Sequence, residues 1–94
     1  MRIGIVGGVE RAEARLKNLA GAEGHDVEFH HGHTSGTSSH RLRAMMERCD
    51  LVVVVTEVNS HAAVLQARAL ARQSGRPIRL LRKLGTSQLR ALLN

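Results

Sequence analysis

Apolar positions along this chain recur with two alternating periods. Ile3, Ile5 and Val6 mark a β-rich stretch from Arg2 to Val6 that runs into the turn pair Gly7-Gly8. Val9 to Ala20 then has helical spacing, with Ala12, Leu16, Leu19 and Ala20 on one face; Gly21 and Gly24 predict its end. From His25 to His30, Val27 and Phe29 alternate with polar neighbours, as in an edge strand with one buried face. A polar loop, His31 to Ser39, leads to Leu42, Met45, Met46 and Cys49 at i, i+3, i+4 and i+7. That spacing predicts a second helix, capped by Ser38 or Ser39.

Leu51 to Val55 is an unbroken apolar run, four of its five residues β-branched valines, and reads as a strand buried on both faces. Ser60 suits the N-cap of a helix from His61 to Ser74, which Gly75 and Pro77 stop. Pro77 to Arg82 reads as a fourth strand, an edge, with Ile78 and Leu80 on one face and Arg79 on the other. Thr86 or Ser87 is expected to cap a last short helix carrying Leu89, Leu92 and Leu93.

Strand and helix thus alternate four times. Helical crossovers require parallel strands and are right-handed. The expected architecture is a single α/β domain over residues 1–94, a three-layer sandwich around a four-stranded parallel sheet of order 2-1-3-4. In such a sheet, ligands bind outside the carboxyl ends of the strands, where the order reverses. Gly7 and Gly8 follow the first strand, and His30, Gly32, His33 and Thr34 the second. Thr56, Asn59, Ser60 and His61 follow the third; Arg82, Lys83, Gly85, Thr86 and Ser87 follow the fourth. Small, polar, imidazole and cationic residues therefore gather on one rim, beside helix N-termini that offer unpaired N–H groups to an anion. Taken singly, each Gly, Ser or Thr here is also an ordinary turn or cap residue.

Charge sharpens this picture. Fourteen Lys+Arg against eight Asp+Glu give +6, and no acid occurs after Glu57, so the last 37 residues carry +7. A basic half favours an anionic partner, either nucleic acid or a small phosphate or carboxylate ligand. Phe29 is the one aromatic residue, which weighs against a module that stacks bases. The longest apolar run is five residues, the first residues lack the apolar core of a signal peptide, and the single cysteine forms no internal disulfide. A cytoplasmic protein is expected, and a chain this short is expected to form a homodimer.

The glycines do not form G-x-G-x-x-G or a P-loop, so neither NAD nor P-loop chemistry is expected. Six histidines are unusual; His25, His30, His31 and His33 fall within nine residues. Imidazole is a common ligand of metals and of haem iron, although no fixed zinc spacing occurs. His30 and His31 point to opposite faces, which leaves His33 and His61 as the pair able to meet at the rim and ligate a transition metal or haem. His25 and His40 read as solvated positions. Nucleophiles are thin: Cys49 shares an apolar helix face, Ser60 is better explained as a cap, and Glu57 lacks a second carboxylate.

The segments Ile3-Gly4-Ile5-Val6-Gly7-Gly8, Phe29-His30-His31-Gly32-His33-Thr34, Asp50-Leu51-Val52-Val53-Val54-Val55-Thr56, Ser60-His61 and Arg82-x-x-Gly85-Thr86-Ser87 resemble the prokaryotic "domain of unknown function 2325" family. The likeness covers nearly the whole chain, and Ser60-His61 after the apolar strand is its most specific part. It implies a small Rossmann-like fold with His30, Gly32, Ser60, His61, Arg82 and Gly85 as marked positions. The family usually has an acid where His31 stands and an arginine where His33 stands, so this loop is richer in imidazole.

The expectation from all of this is a non-enzymatic module for a haem, metal or anionic ligand at the strand-end rim. Arg82 and Lys83 would neutralise charge there, and His33 and His61 would contact or ligate. Two other readings stand beside it: a nucleic-acid-binding or regulatory module using the basic half, and an enzyme acting on a phosphorylated or nucleotide substrate. No membrane association is expected.

Overall fold

The computed structural model describes residues 1–32, 37–57 and 59–94. Strand β1 (Arg2–Val6) leads through a 3₁₀ turn (Glu10–Ala12) to helix α1 (Glu13–Ala22) and strand β2 (Asp26–His30). Helix α2 (Thr37–Arg48), strand β3 (Leu51–Val55), helix α3 (His61–Ser74), strand β4 (Ile78–Leu81) and helix α4 (Thr86–Leu93) follow. The strands form one sheet, parallel as helical crossovers require and in the expected order β2-β1-β3-β4. The register pairs Val6 with His30 and with Val54, and Val55 with Leu81, which brings the carboxyl ends of all four strands to one rim.

Two apolar layers hold the helices to the sheet. Ile3, Ile5, Val53 and Val55 face α1 and α4, burying Leu16, Ala20 and Leu89. Val6, Val52 and Val54 face α2 and α3, burying Leu42, Met45, Met46 and Leu70. Val52 to Val55 are all buried, consistent with a central strand covered on both faces. At Gly4 helix α2 comes close enough that an added Cβ would lie 3.0 Å from both Cys49 Sγ and Met45 Cε.

Three local expectations are corrected. Gly21 lies inside α1, and the turn comes at Gly24, where φ is 81°. Ser38 and Ser39 fall within the first turn of α2, which begins at Thr37. Gly85 takes the N-cap of α4, ahead of Thr86 and Ser87, and its N–H donates to Gln88 Oε1 at 2.9 Å. The fourth strand is the expected edge with Ile78 and Leu80 on one face, where α3 covers Ile78 and leaves Leu80 45% exposed. Two expected caps stand: Ser60 Oγ accepts from Ala63 N at 3.0 Å, and Gly75 ends α3 at φ 69°.

Candidate functional site

The rim is built from short hydrogen bonds linking the residues just past each strand. Gly7 N donates to His30 O at 2.8 Å, joining the ends of β1 and β2. Asn59 Nδ2 donates to Val55 O at 2.8 Å and Val6 O at 3.3 Å, so one side-chain amide spans the point where the strand order reverses. On the far side, Thr56 N donates to Leu81 O at 2.8 Å and Glu57 N to Arg82 O at 3.0 Å. The crevice expected between the first and third strands is therefore bridged by Asn59.

Gly32 is the keystone of this bridge. Its φ of 83° lies in the left-handed region, and a Cβ there would clash with Asn59 Oδ1. Ser60 Oγ donates to Gly32 O at 2.5 Å while accepting from the third residue of α3, so one hydroxyl caps the helix and pins the loop after β2. Asn59 Oδ1 accepts from Ser60 N at 2.8 Å. Gly32 N donates to Nδ1 of the buried His30 at 3.1 Å. His30, Gly32, Asn59 and Ser60 thus form one rigid floor, and Gly7 and Gly8 sit beside it, each with positive φ.

His61, Arg82, Lys83 and Ser87 are exposed along the same rim. His61 opens α3, directly after the Ser60 cap. His33 and Thr34 lie outside the described residues, so the pairing of His33 with His61 does too. Among the described residues, no group of three or more His, Cys, Asp or Glu side chains is placed to hold a metal ion. His25 is half-buried, and its Nδ1 lies 3.0 Å from the Met1 amino group; His40 is exposed.

An open cleft of about 270 Å³ reaches this rim one strand away from the reversal point, between β2 and α2. His30 and His31 lie at its rim end, Arg41 and Arg48 along its side, with Ala44 and Met45 supplying an apolar wall. Its carboxylate, Glu28, receives Arg48 Nη2 at 2.5 Å and Nε at 3.3 Å, with Arg2 Nε at 3.5 Å. The Arg48 hydrogen bond holds the Glu28 carboxyl below the usual glutamate range, outweighing partial burial. Burial pushes the neighbouring Cys49 thiol up to about 11, and the Glu28 charge adds to the rise. A thiol so placed is protonated at neutral pH and is not a nucleophile. His31 lies outside the network, its Nδ1 3.4 Å from Glu13 and 3.7 Å from Glu10.

Sequence reasoning located the rim but missed this cleft, because Glu28 and Arg48 are twenty residues apart and no local spacing signals their pairing. Residues 2–94 match the family described as an uncharacterized protein conserved in bacteria (DUF2325). The chain belongs to the DUF2325 family. No curated protein and no solved structure matches it. Of the positions singled out in the sequence of this DUF2325 chain, His30, Gly32, Ser60, His61, Arg82 and Gly85 follow the strand ends, and three of them meet in the Gly32–Ser60 network.

Proposed function

We propose that this DUF2325 protein is a non-catalytic binding module for a small anionic ligand with an apolar body, held at the strand-end rim. The observation that carries this reading is the chemistry of the β2–α2 cleft. Two imidazoles and two guanidiniums line an apolar wall there, and the carboxylate present is already matched by Arg48 and Arg2. Anions bind best where fixed donors meet a partly desolvated surface. Arg41, which forms no ion pair among the described residues, would take the charged end beside the imidazoles of His30 and His31, and Ala44 and Met45 the apolar body. His61, Arg82 and Lys83 extend the same electrostatic character along the rim. Haem belongs to the ligand class, because its propionates call for cations and its iron for an imidazole.

The test adds hemin, inorganic phosphate and pyrophosphate separately to the purified protein. Hemin binding is read from visible absorption and the phosphates from thermal shift, with elemental analysis of the protein as isolated. Binding of one of these, weakened about tenfold by Arg41→Ala, is expected. A colourless, metal-free protein that responds to none of the three would overturn the reading. The homodimer expected from the short chain remains part of this proposal, and light scattering checks it against the 10.3 kDa protomer.

A further inference from the structure

The opposite edge of the sheet presents a different surface. β4 pairs with β3 alone, and among the described residues no strand covers its outer side. Leu81 O accepts from Thr56 N, so Leu81, and Arg79 by the alternation of parallel pairing, turn their peptide groups inward. The peptide N–H and C=O groups of Ile78 and Leu80 therefore point outward. Leu80 is 45% exposed and Leu65 of α3 51% exposed, the two largest exposed aliphatic side chains in this half of the chain.

Around this edge the charge is predominantly positive, with Glu57, whose N–H donates to Arg82 O, as the acidic residue at the end of the strand. Arg68, Arg72 and Arg76 line an open cleft of about 440 Å³ with Ile78 at its base, Arg79 projects from the other face of β4, and Arg82 and Lys83 follow the strand. Arg76 donates to Glu47 O at 3.0 Å and Cys49 O at 3.4 Å, fixing it at the end of α2. Among the described residues, none of the other five forms an ion pair; the salt bridges all involve Glu28, Glu10 or Glu13. An open strand edge is ordinarily blunted by charge so that it does not pair. Here predominantly positive charge flanks exposed apolar side chains, which repels a like surface and attracts an acidic one.

From this juxtaposition we infer that β4 is a docking edge for an extended acidic segment of a partner protein, which adds to the sheet as a fifth strand. Main-chain hydrogen bonds to Ile78 and Leu80 supply register, their side chains accept apolar residues of the segment, and Arg68, Arg72 and Arg79 receive its carboxylates. A second copy of this chain is disfavoured, since pairing two β4 edges sets the arginines of one protomer against those of the other. A nucleic acid would find phosphate contacts but no stacking platform. Phe29, the one aromatic side chain, lies on the far edge strand with Lys17 Nζ 5.5 Å from its ring centre.

The probe is a short end-blocked peptide alternating glutamate and valine, compared with its lysine–valine counterpart and with an oligothymidylate. The glutamate peptide is expected to bind in a salt-dependent manner and to slow amide exchange at Ile78 and Leu80. Leu80→Pro, which removes one outward N–H without touching the β3 ladder, should weaken binding about tenfold. Replacing Arg68 and Arg72 together with alanine, on an exposed helix face, should weaken it and reduce its salt dependence even if the proline variant fails to fold. Absence of binding, equal binding of the lysine peptide, or binding without protection of β4 would each overturn the inference. So would an oligothymidylate that binds more tightly than the peptide.

Discussion

At φ 83°, Gly32 turns the chain out of β2 directly beneath Asn59 and Ser60. Any side chain there must both enter the left-handed region and displace Asn59, whose amide joins the ends of β1 and β3. Gly32→Ala is therefore expected to cost about 2–3 kcal/mol, measured by urea unfolding followed by circular dichroism. The charged residues obey an equally local logic. Because the Arg48 hydrogen bond lowers the Glu28 pKa in the folded protein, folding favours the carboxylate. Its contribution is complete above the unfolded glutamate value, about 4.3, and is lost as pH falls through the lower folded value. Glu28→Gln should then flatten the loss of stability that the natural sequence shows below about pH 4.3, a comparison made by urea titrations across the acid range.

Helices and strands were legible from periodicity because burial follows it; their ends were less so. A serine or threonine near a helix start reads as a cap, yet Gly85 begins α4 by using the Gln88 side chain, and Ser38 and Ser39 lie a step inside α2. Gly21 reads as a helix stop, but nothing lies within 4 Å of an added Cβ there and α1 continues through it to Ala22. Gly21→Ala should accordingly stabilise the protein by about 0.5–1 kcal/mol, visible as a higher urea midpoint with unchanged slope. The rim was legible for a topological reason, since parallel strands must end together whatever their side chains do. How its members engage one another was not: Ser60 serves both α3 and Gly32, and that second bond depends on a residue twenty-eight positions away. The exposure of Leu80 was equally hidden, because alternation within β4 says nothing about how far α3 extends over it.

For the molecule as a whole, the distribution of charge sets an expectation opposite to that of an ion-pair-stabilised domain. Added salt weakens the Glu28 pairs with Arg48 and Arg2, but exposed pairs of this kind contribute only about 0.2–1 kcal/mol each. Against them stand Arg68, Arg72, Arg79, Arg82 and Lys83 crowded around β4 with no carboxylate partner among the described residues. With a net charge of +6, repulsion outweighs the paired attractions, and screening it favours the folded chain. Raising sodium chloride from about 0.05 to about 0.5 M should thus raise the melting temperature by about 2–5 °C, where a protein held by surface pairs would lose stability. The chain has no Trp or Tyr, so the transition is followed by far-ultraviolet circular dichroism. Phosphate at matched ionic strength adds a second discriminating step. Screening and general salting-out act alike on the natural chain and on Arg41→Ala, whereas ligand-like binding at the β2–α2 cleft stabilises only the form that keeps the guanidinium. An excess phosphate shift that shrinks in Arg41→Ala would separate the cleft from the diffuse field, and an identical shift in both proteins would assign the whole effect to the field.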